Sequence, residues 1–328
     1  MSMVFNYYAF GTSDMDDILY NLKDKLSENG WTIDYDKIST EGKLAFHVVD
    51  TQCYYTIEKN PIYQNLDTGE ADSHYHPYNI HGNTGVDTGT WYNPTLGYEG
   101  GRKSYFIITN SYCLVNSQFC ILILEGRSYH QSDCYHCIFY MFGQLEIPNE
   151  DQQGNFLWVT PSYSNYNPGK WSYFGCCPGY QIGVYYKDTF CRPNDIEPDA
   201  EDYYCRCGRS FYGLLYRYTF YGESCCGNPD CGHCSYYGTR NQLAGLPAQP
   251  YQFGRLYLRT LIIYHKYEQD GVTYIHPIAE TPFYLCKYRG TEWYNKTITY
   301  NTRKFKVFPL VTINFANEFG IAFEVGNL

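Results

Sequence analysis

Nine of the 15 cysteines crowd one stretch of this chain: Cys176, Cys177, Cys191, Cys205, Cys207, Cys225, Cys226, Cys231 and Cys234. Two chemistries suit such a cluster. Zinc takes four thiolate or imidazole ligands in a tetrahedron, and Cys226, Cys231 and Cys234 supply three donors, two of them from one C-x-x-C turn. A zinc ribbon, however, shows two C-x-x-C pairs at regular separation. This stretch has one, together with the adjacent pairs Cys176-Cys177 and Cys225-Cys226. Neighbouring cysteines do not readily bond each other, whereas each can bond a different partner. The nine are therefore read as disulfide candidates, within or between subunits. Zinc at Cys226, Cys231 and Cys234 is the minority reading, and buried free thiols are a third.

Two smaller constellations invite chemistry. Cys134-Tyr-His-Cys137 has the spacing of a redox or metal pair, and His136 lies beside both thiols. No βαβ pattern surrounds it, and nothing nearby would orient the histidine, so structural burial is favoured over a thiol enzyme. His74, His76 and His81 lie close in sequence with Asp72, but lack the i, i+4 spacing by which a helix presents two ligands. No phosphate-binding G-x-x-x-x-G-K-[ST], G-x-S-x-G elbow or H-E-x-x-H occurs. The expectation is a protein that is not an enzyme and needs no cofactor. Asn295-Lys-Thr297 matches a glycosylation acceptor, but the opening MSMVFNYYAF has neither a basic region nor a long apolar run, so no export is expected.

Charge narrows the partners. Over 328 residues, 24 Lys and Arg face 34 Asp and Glu, a net charge of −10. Nucleic-acid affinity grows from neutralised phosphates, so a sequence-specific nucleic-acid partner is not expected. The longest apolar run, around Cys120–Leu124, is far too short to span a bilayer, and no membrane partner is expected. Tyrosine is abundant, with 39 residues. It joins apolar area to a polar tip with few rotors, which suits surfaces that become interfaces. Trp91, Tyr92 and Tyr98 stand out as interface candidates, because they are apolar anchors in a stretch otherwise rich in Gly, Asn and Pro.

The elements that must position these groups are mostly strands. Residues 103–147 read as a spine: Tyr105–Thr109, Tyr112–Val115 and Phe119–Leu124 are short, apolar runs punctuated by Asn110-Ser111, Asn116-Ser117 and Glu125-Gly126, which suggests an antiparallel meander. Cys120-Ile-Leu-Ile-Leu124 is apolar on both faces and reads as a central strand. Cys134–Gly143 lacks clean alternation and fits either a strand or a short helix. Ser13–Glu28 reads as a helix with Ser13 and Asp16 as a capping box, one apolar face and an Asn29-Gly30 stop. Trp31–Ile33, Leu44–Val49 and Cys53–Ile57 follow as strands. Residues 59–102 carry so many Pro, Gly and Asn that little regular structure is expected. After the Cys-rich insert, strands return at Leu256–Lys266 and Val272–His276, joined by a hairpin turn at Glu268–Gly271. Phe283–Tyr288, Thr297–Tyr300, Lys304–Phe308 and Ile321–Val325 complete the pattern. The fold class is α+β, an antiparallel sheet or sandwich with one N-terminal amphipathic helix, long loops and a Cys-rich insert. Three parts follow: an α+β core over 1–147, a Cys, Tyr and Gly-rich insert over 148–254, and C-terminal strands over 255–328 that complete the sheet.

The order of motifs resembles a group of tailed-bacteriophage virion proteins of the neck, tail and baseplate. A helix carrying Ser13-Asp14, Leu22-Lys23 and Leu26 ends at Asn29-Gly30-Trp31. The strand step Phe46-His47-Val48 follows, then the loop His81-Gly-Asn-Thr-Gly-Val86, then Tyr105–Leu145 with Phe142-Gly143 near its end. The C-terminal half fits more loosely, through Val307-Phe308-Pro309. The Cys-rich insert departs from that pattern. The resemblance implies a structural subunit of the virion, such as a tail terminator or connector-like ring, with no catalytic residues. It implies copies of itself in a ring as partners, beside tube, sheath or connector proteins, and assembly in a host cytoplasm. The alternative is a baseplate or tail-fibre adaptor that binds host-surface glycan.

Overall fold

The structure, a computed structural model, describes residues 3–60, 76–93, 106–128, 131–147, 154–160, 182–186, 189–191, 251–253, 256–287, 296–300, 302–309 and 319–327. The side chains of Cys134 and His136 lie outside the described residues, as do the side chain of Cys191 and all of Cys176, Cys177, Cys205, Cys207, Cys225, Cys226, Cys231, Cys234, His74, Asp72 and Tyr98.

Helix α1 (Met15–Glu28) turns Ile18, Leu19, Leu22 and Leu26 inward. Its cap is Asp14 rather than Ser13: the Asp14 carboxylate accepts from the amides of Asp16 and Asp17 at 2.9 and 3.0 Å. A carboxylate also complements the positive end of the helix, which a serine cannot do. Gly30, at φ 87°, makes the left-handed exit that delivers the chain straight into β2 (Trp31–Lys37). A one-turn helix, α2 (Ile38–Glu41), leads to β3 (Lys43–Val48) and β4 (Tyr54–Lys59).

The stretch over 59–102 holds two strands where irregular chain was expected. β5 (Tyr78–Gly85) pairs with β4, and β6 (Thr88–Tyr92) closes a five-stranded antiparallel sheet, β2-β3-β4-β5-β6. The glycines and asparagines that discouraged a strand reading serve the hairpin instead. Asp87 and Gly89 adopt φ 53° and 62°, conformations that asparagine, aspartate and glycine tolerate best.

The spine is a run of long strands. β1 (Asn6–Ala9) pairs with β7 (Phe106–Val115), which pairs with β8 (Phe119–Ser128), then β9 (Gln131–Leu145), β10 (Gly154–Val159), β11 (Ile182–Tyr186) and β12 (Thr189–Cys191). Asn110-Ser111, expected to break two strands, pairs with Glu125 and Leu124 inside β7, just after a register shift at Thr109. Glu125-Gly126 lies within β8. Cys134–Gly143 is strand, not helix, because β8 and β10 flank it and take up its backbone bonds on both sides.

A third sheet, of order β13-β14-β15-β18-β17-β16, uses the C-terminal strands. Its elements are β13 (Tyr251–Phe253), β14 (Leu256–Gln269), β15 (Val272–Lys287), β16 (Thr297–Tyr300), β17 (Arg303–Pro309) and β18 (Phe319–Val325). These strands were expected to complete the first sheet; they form a sheet of their own and pack on it. The hairpin between β14 and β15 turns on Asp270 and Gly271, at φ 54° and 74°, the pairing favoured in two-residue turns. β15 runs on through Pro277 and Pro282, and the β14–β15 ladder absorbs irregularities near them as shifts of register.

The three sheets and the helix form layers, with the seven-stranded sheet in the middle. In β8, Ile121 and Ile123 enter one core with Phe283, Phe308, Ile321 and Phe323 of the C-terminal sheet. Cys120, Leu122 and Leu124 enter the other, with α1 and the five-stranded sheet. All five of these residues have no exposed surface, as their two-faced apolarity anticipated. Phe5 fastens the layers at one edge. It bridges Val325 in parallel, its amide donating to the Glu324 carbonyl and its carbonyl accepting from Gly326, both at 2.9 Å.

Candidate functional site

The described thiols are placed for packing. Cys53, Cys113, Cys120 and Cys137 are free and buried. Burial pushes the Cys53 thiol up to about 12 and raises Cys120 and Cys137 as well, which disfavours the thiolate at these three. Cys53 lies in a polar knot. The Tyr55 hydroxyl is 3.2 Å from its sulfur, 2.9 Å from the carbonyls of Gly143 and Phe156, and accepts from the Gly143 amide at 3.1 Å.

Nor do the described histidines converge. His76 and His81 leave β5 and its approach on opposite sides. His76 is buried edge-on to Tyr140, and burial alone pushes its pKa down to about 4. His81 faces outward beside Asn93 and Glu58. Among the described residues no three His, Cys, Asp or Glu side chains stand close enough to hold a metal ion.

The groups that do converge are on the outer face of the five-stranded sheet. Thr32 pairs with His47, so Asp34, two residues on, shares its face, its carboxylate oxygens 2.9 and 3.0 Å from Nδ1. Asp34 is also the extra residue of a bulge, between Ile33, which pairs with Phe46, and Tyr35, which pairs with Ala45, and the bulge brings Tyr35 to the same side. Nδ1 then carries the proton and Nε2 is the acceptor. The imidazole lies against the Tyr54 ring at 4.7 Å.

Beside this pair runs a polar ladder. Thr90 donates to the Asn83 carbonyl oxygen at 2.9 Å, and Asn83 donates to Thr56 at 3.0 Å. Thr56 lies 3.4 Å from Asp87, which takes the Lys43 ammonium at 2.8 Å. Burial works against the Asp87 carboxylate, but Lys43, with help from Tyr35 and Thr56, outweighs it and holds the pKa below the usual range. Glu58 is likewise lowered, chiefly by His81. The face is about 20 Å across five strands. Thr56 and Asn83 in the ladder are buried and bonded to one another, while His47 and Tyr54 are half-buried beside them. It contains no nucleophile paired with a base.

Trp91 and Tyr92, picked out as interface candidates, are half-buried within the subunit. The Trp91 ring lies over Gly82, where a Cβ would come within 2.4 Å of it. It stacks on Tyr92 at 6.0 Å and on Tyr185 of the central sheet at 5.7 Å. The sequence did not show this inward use, nor the Asp34–His47 pair, whose members come from two strands. No family model matches the chain, and neither does any curated protein or solved structure.

Proposed function

We propose that this chain is a structural subunit of a tailed-phage virion at the neck or tail, a tail-terminator or connector-like ring protein without catalytic activity. One observation carries the reading: residues on which the resemblance rests have mechanical roles in the fold, at a turn, between layers and within a sheet. Gly30 makes the turn from α1 into the sheet. Trp31, next to it, donates its indole N–H to the Asn116 carbonyl of the central sheet at 2.7 Å. His47 holds the bulged Asp34. At Gly143, φ is 146°, and a Cβ would sit 2.3 Å from the Gln118 carbonyl oxygen. A motif held for its mechanics suits a part selected for assembly. The buried free thiols and the dispersed histidines fit the same use. Rings of this kind have cyclic symmetry and join two different faces of each copy.

Native mass spectrometry and electron microscopy of the purified chain, with labelling of particles from its source, test the proposal. A closed ring or a particle-bound protein is expected. A monodisperse monomer at all concentrations, absent from any virion, overturns it.

A second reading is an adaptor binding host-surface glycan, favoured by the half-buried rings of His47 and Tyr54 on the outer face. Tyrosine faces stack on sugar rings while amides and carboxylates take hydroxyls. Glycan binding by the isolated chain, lost in Tyr54→Ala and His47→Ala, would favour it over the ring.

A further inference from the structure

We propose that the tip of the β5–β6 hairpin, residues 84–89, is a strap folded back over the outer face of its own sheet, latched there by the Lys43–Asp87 ion pair, and that it lifts as a unit while the sheet beneath stays folded. The inference holds under either reading above.

Strand pairing fixes where the tip would lie if the hairpin ran straight. Thr56 of β4 is opposite His81 of β5, and Tyr54 is opposite Asn83. Asp87 is six residues beyond His81. A flat hairpin would therefore carry it roughly 15 Å past Thr56. Instead one Asp87 carboxylate oxygen is 3.4 Å from the Thr56 hydroxyl and the other is 2.8 Å from the Lys43 ammonium. Lys43 is opposite Glu58, farther still from the turn. The tip must turn back over the sheet. The bend has a place: the β5–β6 ladder shifts register between Gly82 and Asn83, and such an irregularity bends a strand. Beyond it Asp87 and Gly89 take positive φ, 53° and 62°.

The strap lies in a trough. Tyr35, Ala45, Thr56 and His81 pair in one row across four strands. The small side chains of Ala45 and Thr56 are its floor. His47 and Tyr54 pair in the row on one side, Lys43 and Glu58 in the row on the other. These residues share the outer face, because Leu44, Phe46, Tyr55 and Ile57 between them enter the core. Ala45 and Thr56 are each 1% exposed, although among the described residues no helix or further sheet is layered over them. The Tyr35 hydroxyl oxygen is buried beside Lys43 and Asp87.

The base is anchored and the tip is not. Trp91 packs over Gly82, and Asn83 is bonded to both Thr56 and Thr90. Beyond Asn83, by contrast, Thr84, Val86, Asp87, Thr88 and Gly89 are exposed, and none belongs to either core. The Thr84 hydroxyl donates to the Gly89 carbonyl at 3.3 Å, which makes the tip one piece. Among the described residues, the side-chain ties from tip to sheet are those of Asp87. The chief of them, the Lys43 ion pair, is 19% and 46% exposed at its two side chains. A pair so exposed is a weak tie and is screened by salt. What it covers is polar or small, so lifting it uncovers little apolar surface. Segments with few buried apolar contacts are the first to open. The latch thus sets how much of the face between Tyr35 and Tyr54 meets solvent.

Hydrogen exchange and hydroxyl-radical footprinting of the full chain, both read by mass spectrometry, test the proposal. Asp87→Asn keeps the shape of the side chain and tolerates positive φ, so it removes the latch without straining the turn. Lys43→Met removes the other half, and Asp87→Asn carries the test if that chain does not fold. Each is expected to speed exchange over residues 84–90 about threefold at low salt, with β3 and β4 unchanged, and to raise oxidation of Tyr35. Added salt should speed exchange there in the wild type and leave Asp87→Asn unmoved. Equal exchange in wild type and both variants overturns the proposal. So does exchange that rises in β3 and β4 along with the tip, since the hairpin would then be opening with its sheet. Faster exchange at the tip with Tyr35 no more oxidised would show fraying in place, and also overturns it.

Discussion

The two faces of the central sheet are built on different principles. Toward the C-terminal sheet the core is chiefly aromatic: Phe119 meets Phe156 at 5.3 Å, Trp158 meets Phe283 at 5.6 Å and Phe308 meets Tyr112 at 5.3 Å. Toward helix α1 the core is studded with bonded polar groups. Tyr55 ties the five-stranded sheet to Gly143 and Phe156. Tyr140 receives the Tyr78 amide at 3.1 Å and donates to the Tyr78 carbonyl at 3.2 Å, while the Tyr78 hydroxyl reaches the Met15 carbonyl at 2.7 Å. Apolar contacts tolerate sliding and repacking. A buried hydroxyl bonded to one particular carbonyl does not. The aromatic face thus supplies bulk stability, and the hydroxyl face sets the register between layers.

The contrast can be broken at four places. The largest loss is expected for Gly143→Ala, which adds a Cβ 2.3 Å from a backbone oxygen at φ 146°. A cost of ~4 kcal/mol or more is expected, read as loss of soluble folded protein. Phe323→Ala on the aromatic face should cost about 4 kcal/mol by creating a cavity, read as a lower denaturant midpoint with cooperativity retained. His76 on the polar face gives a pH signature. Its folded-state pKa of about 4 lies below the ordinary 6.5, so the unfolded chain binds a proton that the folded chain refuses. Stability is complete above pH 6.5 and falls by up to ~3 kcal/mol as the pH drops toward 4. Urea titrations across that window should show the fall, and His76→Phe should flatten it. The smallest change is Tyr55→Phe, expected to cost about 2 kcal/mol by stranding the Gly143 amide and two carbonyls. A loss below about 0.5 kcal/mol would show that the polar face does not set the register.

Elements with local causes were legible in the sequence. Helix α1 follows from its periodicity and its Asn29-Gly30 stop, and the buried strand Cys120–Leu124 from apolarity on both faces. What stayed hidden depends on partners. Tyr78–Tyr92 looks irregular until β4 supplies the ladder. Asn110-Ser111 looks like a break until β8 accommodates the shift, and Cys134–Gly143 becomes strand because its two neighbours demand it. The candidate site was the least legible part. Asp34 and His47 are 13 residues apart, and only the pairing of β2 with β3 makes them neighbours. Trp91 and Tyr92 were singled out as interface candidates, but composition does not tell which side a ring faces. Of the Cys-rich insert over 148–254, the strands β10 to β13 are described, but of its nine cysteines only the backbone of Cys191, at the end of β12.

The edge at Phe5 has a mechanical consequence. Two backbone bonds join Phe5 to the strand ending at Val325, and Asn327 adds two more to Tyr7, at 2.8 and 3.0 Å. The strands there run parallel, so tension between the first strand and the last pulls along them in opposite senses. All four bonds then resist together in shear, where an antiparallel hairpin would unzip one bond at a time. A subunit held at these two points would stretch little before it yields, and would yield at once.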